Sequence, residues 1–205
     1  MSTLLVNKIY NSRKYILEIL KMREFDVSEY DNFTVEELHG MIQNQQLDLL
    51  VAGKSKQVYV KYNITKSLRP NNIYDYIEDL FNIENTLNKK DDLIIINKDE
   101  PNETLLNTIK DIWLKDNIYI SIINIERLQY NILNHELVPK HTILSLEEKN
   151  QLKEKFNINN DDMLPNISYF SPVSQVLGIR PGDICKIDRN SKTAIDSTFY
   201  RVCII

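Results

Sequence analysis

Residues 92 to 123, DLIIINKDEPNETLLNTIKDIWLKDNIYISII, decide the fold. The segment reads as a strand (Asp92 to Asn97), a helix carrying Leu105, Ile109 and Ile112 at helical spacing, and a second strand (Ile118 to Ile123). Strands alternating with helices of this length predict βαβ crossovers and a partly parallel sheet.

Upstream, a first helix is predicted from Lys8 to Arg23, with Ile9, Ile16, Ile19 and Leu20 as its apolar stripe. A second begins at Thr34, which caps it while Glu37 reaches back to the Thr34 backbone N–H; Leu38, Met41 and Ile42 form its buried face. Leu47 to Ala52 and Gln57 to Tyr62 are β-rich runs around Gly53-Lys54-Ser55, a hairpin at the sheet edge. A third helix carries Ile73, Ile77, Leu80 and Phe81. Residues 1 to 134 therefore read as one α/β domain.

From His135 the grammar changes. Ser145 and Glu148 make a second capping box, opening a helix that runs through Leu152 to Phe156 and stops at Asn157. Ser171-Pro172 opens another helix, which Gly178 closes. Arg180 to Asp183 is a turn, and strands follow at Ile184 to Arg189 and Thr198 to Ile205. Residues 135 to 205 are thus a small α+β unit, of a size at which one core is marginally stable and often relies on a partner. Because the last strand has no polar tail, trimming Ile204 and Ile205 should matter.

Composition narrows the function classes. With 42% hydrophobic residues among 205, the chain can build real cores, and four Gly and six Pro leave no long flexible linker. A net charge of -4 argues against unaided nucleic-acid binding. The deficit lies in residues 1 to 134, with 16 basic against 20 acidic side chains, whereas residues 135 to 205 hold nine of each. No apolar run approaches a membrane span, and the N-terminus lacks a signal-peptide core, so a soluble intracellular protein is expected. Cys185 and Cys203 are too few for a disulfide framework and read as free thiols.

The chemistry-bearing residues do not assemble into an active site. His39, His135 and His141 lack metal-ligand spacing with each other or with the cysteines, so no metal is expected. Asp48 followed by Lys54 and Lys56 suggests a metal-dependent nuclease, but the position two before Lys54 is Ala52, so the second carboxylate is missing. Ser145, Ser171 and Ser191 sit in no nucleophile elbow, and no Gly-rich phosphate loop occurs, so no nucleotide cofactor is expected.

The C-terminal residues also carry a resemblance. His135-Glu136-Leu137-Val138-Pro139-Lys140-His141, Leu144-Ser145, Glu147-Glu148, Leu164-Pro165, Pro172-Val173, Leu177-Gly178-Ile179-Arg180, Gly182-Asp183, Lys186-Ile187, Arg189, Ser191, Thr193-Ala194 and Tyr200-Arg201-Val202 occur in order. The series resembles the assembly domain of the fifth subunit shared by eukaryotic RNA polymerases, and equally that of its archaeal counterpart. Upstream, the Arg13-Lys14 helix, the Asp48 to Tyr62 hairpin, Ile94 to Ile96 and Ile118 to Ile125 resemble that family's N-terminal jaw domain, which archaeal versions lack.

The resemblance implies an α/β N-terminal jaw-like domain, residues 1 to 134, plus a small α+β C-terminal assembly domain, residues 135 to 205. It implies a non-catalytic assembly subunit of a DNA-directed RNA polymerase, docked on the largest subunit, with the jaw near downstream DNA. It places the protein in the nucleus if cellular, or in host cytoplasm and virion if encoded by a large cytoplasmic DNA virus. His141, Arg180, Arg189 and Arg201 are the interface candidates, and Tyr200 fits either core or interface. The family's DNA-facing loop falls near Asn97 to Thr104, making Lys98, Pro101, Asn102 and Thr104 the DNA-proximal candidates; Asp99, Glu100 and Glu103 there imply weak contact. Ser171 stands where the family usually has Asp, and Ile195 departs from the family in the loop between the last two strands. Competing readings are a nuclease-like enzyme on the N-terminal domain and a free-standing transcription adaptor.

Overall fold

The computed structural model describes residues 3–190 and 196–205, and the chain divides into two compact units between Asn131 and Ile132, a short step before His135. The family matches at Ser191, Thr193 and Ala194, and the departure at Ile195, lie outside the described residues.

The first unit runs α1 (Thr3–Met22), α2 (Val35–Gln43), β1 (Leu49–Ala52), β2 (Gln57–Asn63), α3 (Pro70–Ile77), β3 (Asp92–Asn97), α4 (Glu103–Asp116) and β4 (Tyr119–Asn124). Its sheet has the order β1-β2-β3-β4, antiparallel between β1 and β2 and parallel thereafter. The expected crossovers are present: α3 links β2 to β3, and α4 links β3 to β4. Every residue of β3 and β4 is buried, so both faces of the sheet are covered. Helix α1 begins at Thr3, not Lys8, because Val6 continues its buried stripe one turn earlier. The third predicted helix is two pieces, α3 and a π-helical turn at Glu78–Ile83 that buries Leu80.

The edge strand β1 is closed by the segment after α1. Asp26 N donates to Ala52 O at 2.9 Å and the Tyr30 hydroxyl to Leu50 O at 3.0 Å, occupying carbonyls that a foreign strand would otherwise pair with. Phe25 bridges to Gly53, where a Cβ would stand 2.7 Å from the Phe25 ring and 2.8 Å from Lys56 O. Only glycine allows this approach.

Polar groups tie both ends of the parallel strands. Buried Asp92, at the start of β3, accepts from Arg23 and, at 2.7 Å, from Lys56. At the other end Asn63, Asn97 and Asn124 lie in register; Asn63 Nδ2 donates to Asn97 Oδ1 at 2.9 Å, and Asn97 Nδ2 to Asp99 O at 2.8 Å.

The second unit contains β5 (Lys140–Ile143), α5 (Leu146–Phe156), β6 (Asn166–Ser168), α6 (Pro172–Leu177), β7 (Ile184–Asn190) and β8 (Asp196–Ile204). Among the described residues its sheet has the order β5-β7-β8-β6, with β6 parallel to β8 and the other pairs antiparallel. The predicted caps form: the Ser145–Glu148 box, Asn157 left-handed at φ 51°, Ser171 on Ser174 N, and Gly178 at φ 71°. Strands β5 and β6 were not predicted. Both are short, and their partners lie far along the chain, so no local pattern announces them.

Candidate subunit interface

Strand alternation sorts the expected interface residues onto two faces of the second sheet. His141 of β5 pairs with Ile187 of β7, which pairs with Phe199 of β8, so the three form a row across one face. Arg189 and Arg201 share that face, and with Pro139 and Ile167 they complete a groove of about 280 Å³.

The groove combines apolar side chains with two guanidiniums. Arg189 lies over the Phe199 ring, its guanidinium carbon 3.9 Å from the centroid, a stacking that fixes the planar group while leaving its N–H donors at the edge. Arg201 Nη1 donates to Asn166 O at 3.1 Å, which anchors that side chain beside β6. His141 Nδ1 lies 2.6 Å from Pro139 O; a carbonyl only accepts, so Nδ1 carries the proton and Nε2 remains for a partner. Among the described residues no carboxylate lines the groove, and neither Arg189 nor Arg201 has an acidic partner. Nearby Asp188 is held instead by Lys186 at 3.1 Å and by the Thr198 hydroxyl at 2.9 Å.

Tyr200 and Arg180 lie elsewhere. Tyr200 points to the opposite face, where its ring centroid stands 6.2 Å from that of Phe156 on α5. Arg180 opens the turn before β7, where its backbone N–H donates to the Asp183 carboxylate at 2.8 Å. Phe199, Ile187 and Ile167 are groove residues that sequence reasoning missed. The alternation of Phe199 and Arg201 along β8 was the available signal.

The cysteines are free and buried. Burial pushes the Cys185 thiol up to about 11 and that of Cys203 to about 12, so both stay protonated, and poor nucleophiles, at neutral pH.

In the first unit, Lys98 and Pro101 occupy the loop from β3 to α4. Asn102 caps α4, its Oδ1 accepting from Leu105 N at 3.0 Å, and Thr104 is exposed in the first turn. Glu100 accepts both a 3.0 Å and a 2.8 Å bond from Arg127, so one acid of this loop is neutralised by a residue outside it. Counting charges along the loop alone overstated its negative character.

Asp48 has no geometry for metal chemistry. Its carboxylate accepts from Lys61, from Tyr62 N at 2.9 Å and from the Tyr59 hydroxyl at 3.3 Å, while Lys54 pairs with Glu24 and Lys56 with Asp92. The Tyr59 phenol is pushed up by burial and by Asp48. Among the described residues no cluster of three or more His, Cys, Asp or Glu could hold a metal, and no helix is long and apolar enough to cross a membrane.

A two-unit α/β scaffold that presents a cationic, apolar groove is the class of protein this geometry defines. The family model described as RNA polymerase Rpb5, C-terminal domain, matches residues 130–203. The DNA-directed RNA polymerase subunit Rpo5 of Pyrococcus abyssi is 46% identical over 76 residues, covering 37% of this chain and 92% of that protein. Its counterpart in Archaeoglobus fulgidus is 40% identical over 77 residues, 38% of this chain and 100% of that protein. The subunit rpabc1 of DNA-directed RNA polymerases I, II and III from Dictyostelium discoideum is 25% identical over 202 residues, 97% of this chain and 98% of that protein. The chain belongs to the RNA polymerase Rpb5 family, whose members are non-catalytic accessory subunits.

Proposed function

We propose that this chain is a structural and assembly subunit of a DNA-directed RNA polymerase, with its second unit docked on the largest subunit and its first unit near downstream DNA during transcription. The observation that carries this reading is the coverage of the archaeal relatives. Proteins named as polymerase subunits correspond over 92% and 100% of their length to the C-terminal part of this chain alone. Whatever joins such a subunit to its polymerase must then reside in that part. The groove of His141, Arg189 and Arg201 lies there.

The first unit has an auxiliary role in this reading. Its loop bearing Lys98, Pro101, Asn102 and Thr104 is the surface placed toward DNA, and the acidic balance of residues 1 to 134 keeps that contact weak. The test is affinity purification of the tagged full chain from its native source. The largest polymerase subunits should co-purify in equal amounts; recovery of the chain only outside polymerase particles, as a free-standing adaptor would behave, refutes the proposal.

A further inference from the structure

The first unit carries a polar cleft at the carboxyl end of β2, the end of a parallel strand at which open α/β sheets take up ligands. Its volume is about 380 Å³, within the range of small-molecule sites, and its walls come from α1, α2, β2 and α3. Three charged side chains line it: Asp48, Lys61 and Lys66. Asp48 is already committed, its carboxylate accepting from Lys61, from Tyr62 N and from the Tyr59 hydroxyl. Lys61 uses one N–H on that bond and keeps two, its Nζ standing 5.5 Å from the centroid of the Tyr76 ring. Lys66 is exposed and has no acidic partner among the described residues. With two ammonium groups against one carboxylate, the cleft is cationic in a part of the chain whose overall balance is acidic.

A further cation stands behind the wall of the cleft. Arg13 is only 2% exposed, and its Nη1 donates at 2.9 Å to the carbonyl of Leu47, a residue that lines the cleft. Its Nε has no hydrogen-bond partner, and no carboxylate among the described residues pairs with it. Burial lowers its pKa, the mark of a guanidinium without a counter-charge.

We propose that this cleft binds a small organic phosphate of mononucleotide size, its phosphate accepting from Lys61 and Lys66 and its carbon skeleton lying against Ile42, Ile64 and Tyr76. Charge sets the class of ligand. An anion in the cleft supplies the negative potential that Arg13 lacks, whereas a cation meets two ammonium groups and a carboxylate already occupied. Phosphate, with three acceptor oxygens and close to two negative charges, can accept from both ammonium groups at once. The donors are side chains, with no Gly-rich backbone loop among them, and no base or nucleophile is poised beside them, so the site binds without turnover.

Equilibrium dialysis of the full chain against labelled adenosine monophosphate, with inorganic phosphate and adenosine as competitors, tests this. The nucleotide should bind saturably with a dissociation constant below about 1 mM at about 0.1 M salt, and inorganic phosphate should displace it. Adenosine, which lacks the charge, should compete at least about tenfold more weakly. Lys66→Glu should weaken nucleotide binding about tenfold or more, while Lys110→Glu on the exposed surface of α4 leaves it unchanged, both variants melting like the parent. The inference is overturned if the nucleotide binds no more tightly than about 1 mM, if adenosine competes as well as the nucleotide, or if Lys66→Glu binds like the parent.

Discussion

At the residue scale, Asp92 shows how one buried charge joins distant segments. Its carboxylate is fully buried and receives Arg23 from the end of α1 and Lys56 from the hairpin. Asp92→Asn would leave Arg23, itself only 7% exposed, without its counter-charge. The expected cost is about 3–5 kcal/mol, read as a lower denaturation midpoint in urea. The thiols give a pH-dependent expectation. Folding raises both Cys185 and Cys203 above the ordinary thiol value, so their contribution to stability is intact below about pH 8.5 and is lost as pH rises through about 11 and about 12. Alkylation at pH 8 should therefore be slow in the native protein and rapid after unfolding. Stability measured above pH 9 should fall less in a Cys185→Ala, Cys203→Ala variant than in the parent.

At the element scale, the hairpin and the last strand are the sensitive pieces. Gly53→Ala would drive a methyl group into the Phe25 ring and Lys56 O, with an expected loss of about 1–3 kcal/mol and weakened closure of the β1 edge, visible as faster exchange of the Asp26 amide, which donates to Ala52 O. Deleting Cys203 to Ile205 removes more. Cys203 N donates to Asp183 O at 2.8 Å, its carbonyl accepts from Gly182 N at 2.9 Å, and Ile204 O accepts from Tyr169 N at 2.8 Å. The turn before β7 and the pairing of β6 both depend on these bonds, so the deletion should unfold the second unit and abolish incorporation into polymerase. Arg201→Ala should weaken incorporation without unfolding it, which circular dichroism and size-exclusion chromatography together distinguish.

At the scale of the whole molecule, the proposed division of labour predicts how fragments behave. A fragment of residues 132–205 should bind the largest polymerase subunit on co-expression, whereas residues 1–131 should not; the reverse outcome would exchange the two roles. The intact protein should show no submicromolar affinity for duplex DNA at physiological salt, because its net charge of -4 opposes phosphate. The sequence by itself determined what short-range physics controls. Side chains within one turn of a helix end set the caps at Thr34, Ser145 and Ser171, and continuous apolar runs set β3 and β4. Only the tertiary structure decided which residues share a surface. Strands β5 and β6 exist because β7 and β8 offer them an edge, and a one-residue difference in position sends Tyr200 to Phe156 but Phe199 and Arg201 to the groove. Register and cross-strand neighbours depend on pairing between distant segments, so no local pattern could bring His141, Arg189 and Arg201 together.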